Sequence, residues 1–587
     1  MKNKLRVGVF GSFVMALLLL YSCKDSFLVI PVTGQLDSKL LSGRLGLDAA
    51  VIAAYSQVNG RFNRMASPSN WVWGSIRGGD ANKGTDPGDF SDINPIQRYE
   101  ALPTQGVISD KYNGNYEVVA RANAVLKLLK TADPSVTDTD KAGFEAQAKF
   151  LRAHGYFELK RAFGNTPYVD ESVDVGTGID KVKNDKDLWP LIEADLTFAA
   201  ANLPATQSQV GRVNSWAAKA YLAKVYMYQN KFAAAKTLFD DIIANGKTSN
   251  GKTYGLVPKY ADVFKASNDN HEESVWAYQA AAGTGSVNNA NPEFDLNWPY
   301  NTGADGPGNC CSFFQPTFEM GNSFRTDAVL GLPLLDGSYN IGANQLVTDM
   351  GKESTDAFTP DAGTVDPRLD HSIGRRGIPY LDWQKFPGKA WIRNQPNAGP
   401  YETKKYAYYK SDKGSLQDNS SWTPGYTAIN YTIIRYADVL LMAAEAEIEV
   451  GSLAKALTYI NMVRNRAANP AGFVKDGAAN AANYFINPYA TLGSQTNARA
   501  IVRFERKLEL SGEGHRFYDL MRWGADGIAL INTYINYEKD KYPSGAFTGI
   551  KFTTSQDELL PIPQSQIDLL NVGGEVILKQ NPGYGGN

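Results

Sequence analysis

The sequence carries few residues whose type and spacing suit catalysis. Its histidines stand far apart along the chain, so it has no paired-histidine motif of the kind that binds zinc. The GxSxG sequence of a serine-hydrolase nucleophile elbow is also absent. Carboxylates are plentiful, and a glycosidase pair can converge from distant positions, so that enzyme class stays open on the residues alone. We predict no catalytic residue, no metal and no cofactor, and we favour binding over catalysis. The histidines are His154, His271, His371 and His515.

Residues 246–253 match the phosphate-binding pattern GxxxxGK[ST] by their letters. That loop binds phosphate only between a strand and a helix, whose first backbone amides face the ligand. Here the pattern follows a predicted helix, and Gly255 and Pro258 prevent another helix after it. We expect no nucleotide site at this position.

Residues 503–524 alternate charges around an apolar stripe, which predicts two helices joined at Gly512–Gly514. Glu509, Glu513 and His515 in this segment are residue types that can perform acid–base chemistry. The interpretation we favour is structural. These charged side chains are expected to form buried ion pairs that clasp the helices together.

The bulk composition is that of an ordinary globular protein. The chain has 587 residues, of which 43% are hydrophobic and 20% are charged. A formal net charge of −2 gives no basic surface for nucleic acid, so we predict no nucleic-acid partner. Aromatic residues make up 11% of the chain, including 31 tyrosines and 10 tryptophans, an abundance that calls for a function.

The N-terminus has the organisation of a secretory signal, with a basic start, a short apolar stretch and a small residue before Cys23. The apolar part is shorter than the roughly 20 residues of a membrane-spanning helix. Leu20-Tyr21-Ser22-Cys23 resembles the lipobox of bacterial lipoproteins, which predicts removal of residues 1–22 and lipidation of Cys23. An ordinary cleaved signal with an incidental cysteine is the alternative. Lys24-Asp25 resembles a surface-export signal of Bacteroidota lipoproteins.

The other cysteines are the neighbours Cys310 and Cys311. An oxidising exterior would permit a disulfide between them. The alternative is two small loop residues, one or both of them buried. The sequence has neither a disulfide framework nor a CxxC metal clip.

Helices are predicted throughout the first half of the chain, from apolar residues at helical spacing. Leu222, Ala223 and Tyr226, followed by Ala235 and Phe239, reproduce the small-and-aromatic spacing of a tetratricopeptide helix pair. Residues 436–467 form a weaker second copy, with Gly451-Ser452 at its turn. The fold class predicted is mainly α, a tetratricopeptide-like helical-repeat scaffold. The predicted early helices are Asp48–Asn59, Lys111–Lys130, Ala142–Phe163 and Asp187–Leu203.

The two copies are separated by a segment rich in Gly, Asn, Pro and Asp, from Ser267 to Ile429. A loop-rich region of this length inside a compact protein is usually functional. We expect short strands and ordered loops laid over the helical scaffold. This segment also holds half of the tryptophans, at positions Trp276, Trp298, Trp383, Trp391 and Trp422.

Several further motifs accompany the charged segment 503–524. In order along the chain they are Phe150-Leu151-Arg152-Ala153 through Phe157-Glu158-Leu159 with Gly164-Asn165-Thr166-Pro167-Tyr168, Asp366-Pro367-Arg368-Leu369, Arg435–Ala446 with Ile460-Asn461-Met462-Val463-Arg464, Leu560-Pro561-Ile562-Pro563 and Gln580-Asn581-Pro582-Gly583-Tyr584. Together these motifs resemble the SusD/RagB family of outer-membrane nutrient-binding lipoproteins, and the charged segment resembles the C-terminal signature of that family.

The resemblance implies eight helices in four tetratricopeptide-like pairs, with the loop-rich region packed against them. It implies a signal peptide at 1–22, an N-terminal repeat region at 23–266, a ligand-facing region at 267–429 and a C-terminal region at 430–587. It also implies a non-enzymatic protein, lipid-anchored in the outer membrane and facing the cell exterior. Such a protein binds a nutrient, usually a glycan, and delivers it to a SusC-like TonB-dependent transporter.

In that family the ligand face is built from aromatics on loops. An aromatic ring lying flat against a sugar offers its π-face to C–H groups, while polar side chains bind the hydroxyls. Trp71 and Trp73 alternate on a loop that we expect to be exposed, with Arg77 as donor and Asp80 as acceptor. Trp298, Tyr300 and Trp391 are the next candidates.

Three other functions stay open. A peptide-binding member of the same family is the nearest alternative. An exported carbohydrate-active enzyme would need two carboxylates in a cleft, and a purely structural repeat scaffold would bind only protein partners. The sequence does not identify the glycan, and it leaves open whether calcium is bound.

Overall fold

The computed structural model describes residues 41–60, 65–174, 176–291, 296–308, 310–418, 420 and 426–585. Cys23, the signal segment 1–22 and Trp422 therefore lie outside the described residues. None of the helices within the described ranges has the length and hydropathy needed to span a bilayer.

The fold is mainly helical, as predicted. Helices occupy both ends of the chain, and the segment between them contains only helices of six residues or fewer. The helices are α1 (Arg44–Ser56), α2 (Ile93–Gln97), α3 (Gly106–Leu129), α4 (Asp138–Phe163), α5 (Trp189–Asn202), α6 (Ser215–Tyr228), α7 (Phe232–Asn245), α8 (Phe318–Ser323), α9 (Leu369–Ser372), α10 (Gln395–Ala398), α11 (Tyr436–Val450), α12 (Leu453–Ala467), α13 (Gln495–Glu509), α14 (Arg516–Arg522), α15 (Ala525–Glu538) and α16 (Gln564–Leu570).

Helix α4 shows how the sequence sets the bounds of a long helix. The Thr137 side chain caps its start by accepting a 3.1 Å hydrogen bond from the amide of Asp140. Gly164 ends it in a conformation with a φ of 72°. A Cβ on Gly155 would lie 2.8 Å from the Val119 side chain, so glycine permits close approach between α3 and α4.

The two predicted repeat pairs are confirmed as helix pairs. In the first pair Ala223, Ala235 and Phe239 are buried between α6 and α7, while Tyr226 is partly exposed. Successive helices from α3 to α7 pack against one another, and α7 then packs against α11. Residues 436–448 of α11 are all buried, so this helix lies at the centre of the scaffold. This arrangement fits a tetratricopeptide-like array interrupted by one long insertion.

The insertion contains short strands and ordered loops, as expected. The described strands form four antiparallel pairs: Ala81–Gly84 with Phe313–Pro316, Ser274–Tyr278 with Tyr431–Arg435, Ile373–Gly374 with Glu402–Thr403, and Lys475–Asp476 with Ala479–Asn480. Four of these strands lie inside the insertion, and they are Ser274–Tyr278, Phe313–Pro316, Ile373–Gly374 and Glu402–Thr403. A small second core lies in this half of the protein, around Met320, Phe324 and Leu369. The boundaries at 267 and 429 stay a prediction. The strands are β1 (Ala81–Gly84), β2 (Ser274–Tyr278), β3 (Phe313–Pro316), β4 (Ile373–Gly374), β5 (Glu402–Thr403), β6 (Tyr431–Arg435), β7 (Lys475–Asp476) and β8 (Ala479–Asn480).

The charged segment 503–524 forms the predicted clasp of buried ion pairs. Arg435 of β6 holds Glu513 through two contacts of 2.8 and 2.9 Å, and it also contacts Glu509 at 2.6 Å. Arg368, from the insertion, contacts Glu509 at 3.0 Å and Glu505 at 2.6 Å. These side chains are all buried, so loss of one ion-pair partner would leave an unpaired charge in the core and destabilise the fold. The clasp joins β6, the insertion and the C-terminal helices.

Candidate functional site

The expectation that Trp71 and Trp73 lie on an exposed loop is wrong. Residues Trp71–Ile76 form a single π-helical turn in which every side chain is buried. The Trp71 ring packs edge-on against Phe313 and Phe314, with centroid distances of 6.1 and 5.9 Å. The Trp73 indole donates a 2.7 Å hydrogen bond to the carbonyl of Met65. Both rings belong to the core, so we do not retain them as ligand contacts.

Arg77 and Asp80 are also buried, and the expectation that they serve as donor and acceptor for a ligand is wrong. The guanidinium of Arg77 lies 3.9 Å above the ring of Phe517 and donates to the carbonyl of Asp557. One carboxylate oxygen of Asp80 accepts a 3.0 Å hydrogen bond from the amide of Gly512. Burial raises the pKa of Asp80 to about 6. Both side chains hold the π-helical turn against the C-terminal region.

Trp298 and Trp391 are core residues rather than exposed aromatics. Trp298 packs against Tyr408 with a centroid distance of 4.9 Å. Trp391 packs edge-on against Tyr380 and Phe386, each at 5.7 Å. Both tryptophans are at least 96% buried, so neither offers a ring face to a ligand.

Tyr300 is the predicted aromatic that retains partial exposure. Its amide donates a 2.8 Å hydrogen bond to the carbonyl of Trp391, which fixes the Tyr300 loop on the buried aromatic layer. The guanidinium of Arg393 lies 5.4 Å from the Tyr300 ring. This distance is within the range of a cation–π contact.

Arg393 connects Tyr300 to the loop that follows β1. Its guanidinium forms an ion pair with Asp86 at 2.7 Å and a second ion pair with Asp89. It also donates a 3.1 Å hydrogen bond to the hydroxyl of Thr85. The side chains of Arg393, Asp86 and Asp89 are each about 30% exposed, so solvent reaches all three.

Lys83 supports the same loop from beneath. Its ammonium group donates to the carbonyls of Asp86 and Asp89 at 2.8 and 2.7 Å. Burial lowers the pKa of Lys83 to about 8, although the two aspartates act in the opposite direction.

The residues around Tyr300 described above form one surface region, which we call the Tyr300 surface. It comprises Lys83, Thr85, Asp86, Asp89, Tyr300 and Arg393.

Side-chain amides tie the loop after β1 to the segment that follows Arg393. Asn397 donates from its side-chain amide to the carbonyl of Thr85 at 3.1 Å. Asn82 of β1 donates to the carbonyl of Ala398 at 2.9 Å. The loop and this segment are therefore fixed relative to each other before any ligand binds, which reduces the ordering cost of binding.

Only Tyr300 of this surface was predicted from the sequence. A signal for the rest was present, because Thr85-Asp86-Pro87-Gly88-Asp89 is a polar, turn-forming run directly after β1. Arg393 stands two residues after Trp391 in the sequence. Neither pattern predicts that residues 85–89 and the segment around Arg393 lie in contact.

The Tyr300 surface suits a neutral, hydroxyl-rich ligand. Its two basic and two acidic side chains balance in charge, and its polar groups both donate and accept hydrogen bonds. The partly exposed tyrosine adds an aromatic surface for C–H groups. Among the described residues, there is no group of three histidine, cysteine or acidic side chains placed to hold a metal ion.

The acid–base interpretation of segment 503–524 is not supported by its geometry. Glu509 and Glu513 are fully buried and ion-paired with arginines. Burial and nearby Lys224 lower the pKa of His515 to about 3, so this histidine is neutral at physiological pH. The segment is structural, as the favoured interpretation held.

Residues 246–253 form no phosphate-binding loop. They follow α7, and Lys247 pairs antiparallel with Thr253 across a tight turn. The next helical segment is a 3₁₀ turn at Tyr260–Phe264. The strand–loop–helix arrangement that a phosphate-binding loop needs is therefore not formed at these residues. In the insertion, the side chains of the neighbours Cys310 and Cys311 lie against each other, so the disulfide that the sequence permits stays a prediction; Cys311 is buried.

A family model described as "SusD family" matches residues 272–584, more than half of the chain. The chain belongs to the SusD family. The membership predicted from the sequence motifs is thus confirmed. A second family model, described as "Starch-binding associating with outer membrane", matches residues 84–227.

Full-length relatives and solved structures agree with SusD membership. SusD-like protein P2 of Formosa agariphila is 26% identical over 586 residues, which cover 98% of this chain and 99% of the relative. A SusD superfamily protein from Bacteroides vulgatus has a TM-score of 0.66 at 20% identity, covering 92% of this chain and 99% of the other. Surface glycan-binding protein A from Bacteroides thetaiotaomicron, solved with laminarihexaose, has a TM-score of 0.62 at 22% identity over the same shares. The SusD fold is therefore shared along nearly the whole chain.

Proposed function

We propose that this SusD-family protein is a lipoprotein of the outer membrane that captures an oligosaccharide at the cell surface and delivers it to a SusC-like TonB-dependent transporter. It acts by binding and performs no reaction on the glycan. The observation that carries the proposal is the Tyr300 surface, where a partly exposed aromatic ring adjoins a charge-balanced set of donors and acceptors.

The charge balance narrows the class of glycan. Arg393 is already paired with Asp86 and Asp89, so it offers little attraction to a sulfated or uronic-acid sugar. Lys83 is buried and donates to backbone carbonyls. A neutral oligosaccharide is therefore the ligand class that the surface favours. The laminarihexaose bound to the Bacteroides thetaiotaomicron protein is an oligosaccharide, which supports the same class.

The lipid anchor rests on the sequence alone. Cys23 stands at the end of a signal segment with a lipobox, and the lipid chains attached to it would anchor the protein. Cys23→Ala should move the protein from the membrane fraction to the soluble fraction without lowering its melting temperature. Persistent membrane association in cells that lack the transporter would contradict the anchor.

A binding screen tests the proposed ligand. The detergent-solubilised full chain is presented to arrayed neutral glycans, acidic glycans and peptides. We expect binding to at least one neutral oligosaccharide and weaker binding to its sulfated form. Binding to peptides alone would replace this proposal with the peptide-uptake alternative, and release of reducing sugar would replace it with an enzyme.

A further inference from the structure

A second cleft lies on the helical scaffold, away from the Tyr300 surface. It has a volume of about 460 Å³ and shares no residue with that surface. This volume is within the range of about 300–1,000 Å³ that small-ligand sites occupy. Its walls are the end of α1, the loop before α6, and β2 with the turn after it. We call it the α1 cleft, and the side chains used below are Ile52, Tyr55, Arg212, Tyr278, Thr284 and Asn289.

The floor of the α1 cleft is apolar. Val58 and Trp276 lie beneath it and are almost fully buried. Tyr278, at the end of β2, is partly exposed on its wall, and the Ile52 side chain is 49% exposed. An exposed isoleucine and a tyrosine ring that line the same cleft offer apolar surface to the C–H face of a sugar.

The polar groups at the rim are mostly uncharged. Asn289 donates a 2.8 Å hydrogen bond to the hydroxyl of Thr284, and further amide side chains of Gln209 and Asn288 also line the cleft. Amides and hydroxyls both donate and accept hydrogen bonds, as sugar hydroxyls do. The chemistry of the rim thus matches a polyhydroxylated molecule.

The one charged side chain among the described lining residues is Arg212, and its charge is balanced. Its guanidinium forms a 2.7 Å ion pair with Asp48 and donates to Gln147 and Gln209 at 3.1 and 2.6 Å. An acidic ligand would find no free cation there, and a basic ligand would find no free carboxylate. The electrostatics therefore favour a neutral ligand.

A neighbouring cleft shares two lining residues with the α1 cleft. Gln209 and Arg212 also line a second cleft of about 430 Å³, whose walls include Gln147, Asn202 and Gln207. Two adjoining clefts along α1 give room for several sugar units rather than one.

We propose that the α1 cleft is a second binding site for a neutral oligosaccharide, distinct from the Tyr300 surface. The class of ligand rests on the proposed function, and the position of the site rests on the geometry of the cleft. A protein with two such sites that share no residue holds one long glycan at two points, or two chains at once, which raises avidity when both are occupied.

Hydrogen–deuterium exchange of the full chain with neutral hexasaccharides tests this inference. The probes are laminarihexaose, maltohexaose, cellohexaose and xylohexaose. We expect at least one of them to slow exchange at residues 52–59 and 277–281, as well as at residues 83–90 and 299–302. Tyr278→Ala should remove the protection at 52–59 and weaken affinity there at least fivefold, while protection at 83–90 persists.

Two further variants distinguish loss of the binding site from a general change in the fold: one blocks the cleft, and the other lies outside it. Ala281→Trp places a bulky ring in the cleft at an exposed position and should remove the same protection without removing a side-chain contact. Tyr226→Ala removes a partly exposed tyrosine from the same scaffold outside the cleft, and it should leave both protected segments unchanged.

The outcomes separate the two proposals. Protection at 83–90 alone would overturn the second site and leave the proposed function intact. Protection at 52–59 alone would support the α1 cleft and remove the Tyr300 surface as the site of capture. Protection at 52–59 by peptides rather than sugars would overturn the ligand class proposed for the cleft, and no protection by any hexasaccharide would overturn both proposals.

Discussion

The backbone amide of Tyr300 donates a 2.8 Å hydrogen bond to the carbonyl of Trp391. This bond joins a partly exposed tyrosine to a tryptophan buried between Tyr380 and Phe386. The packing of the Trp391 ring fixes its residue in the core, and the backbone bond attaches the Tyr300 loop to that residue. The aromatic richness of the chain therefore serves two purposes, with buried rings supporting the few that reach solvent.

Tyr300→Ala and Trp391→Ala should separate these two purposes. Tyr300→Ala removes a partly exposed ring, so we expect several-fold weaker glycan binding, with the free energy of unfolding changed by less than about 1 kcal/mol. Trp391→Ala removes a buried ring and should cost about 3–5 kcal/mol of stability. Calorimetric titration and thermal unfolding measure both effects. Equal losses of stability in the two variants would contradict the division.

Trp71→Ala and Trp73→Ala should each lower stability and leave the intrinsic glycan affinity unchanged. Each ring is buried, and truncating a buried tryptophan to alanine costs about 3–5 kcal/mol. Denaturant unfolding measures the loss, and titration at a temperature where the variant stays folded measures affinity. A tenfold weaker affinity in a fully folded variant would return these residues to the ligand site.

Glu513→Ala should destabilise the fold, because it leaves Arg435 and Lys405 buried beside a missing charge. Breaking one partner of a buried ion pair costs about 3–5 kcal/mol. Glu100→Ala is the matched control, since its pair with Arg98 is solvent-exposed and should contribute less than about 1 kcal/mol. Chemical unfolding of both variants tests this. Unchanged stability with loss of a hydrolytic activity would instead make Glu513 catalytic.

Glu538 gives a pH-dependent prediction. Burial raises its pKa to about 8, although the amide of Glu319 acts to lower it. Its folded-state pKa lies above the unfolded value, so the folded protein binds more protons and stability falls as pH rises from about 4.5 to 8. Glu538→Gln puts a neutral amide in place of the carboxyl group, so the stability of this variant should not fall over the same pH range.

The test compares the Glu538→Gln variant with the unmodified protein at two pH values. At pH 8 the variant should be more stable by about 4 kcal/mol, because the pKa shift from 4.5 to about 8 is worth about 4.8 kcal/mol and half of the Glu538 carboxyls are still protonated at that pH. At pH 4 the two proteins should have similar stability. A stability difference that stays constant from pH 4 to pH 8 would contradict the titration of Glu538.

The helical scaffold was predictable because its determinants are local. Ala223, Ala235 and Phe239 repeat at helical spacing, and the structure buries all three between α6 and α7. The two helices of the clasp were predictable because the apolar stripe among the alternating charges lies within one short segment. Both signals lie within a few turns of helix.

The candidate site was predictable only in part, because exposure in the loops depends on distant partners. The Trp71 ring is covered by Phe313 and Phe314, more than two hundred residues further along the chain. Arg393 reaches Asp86 and Asp89 from more than three hundred residues further along the chain. Composition could mark Tyr300 and Trp391 as candidates, but only the tertiary fold decides which of the two reaches solvent.

The most direct test of glycan capture at the Tyr300 surface is the affinity of Arg393→Ala for a neutral oligosaccharide bound by the unmodified protein. Arg393 orders the surface, since it contacts Tyr300, Asp86 and Asp89 together. Arg503→Ala is the control, because Arg503 pairs with exposed Asp526 elsewhere on the protein. We expect titration calorimetry to show at least tenfold weaker binding for Arg393→Ala, unchanged binding for Arg503→Ala and similar melting temperatures for both. Unchanged affinity of folded Arg393→Ala would contradict the account.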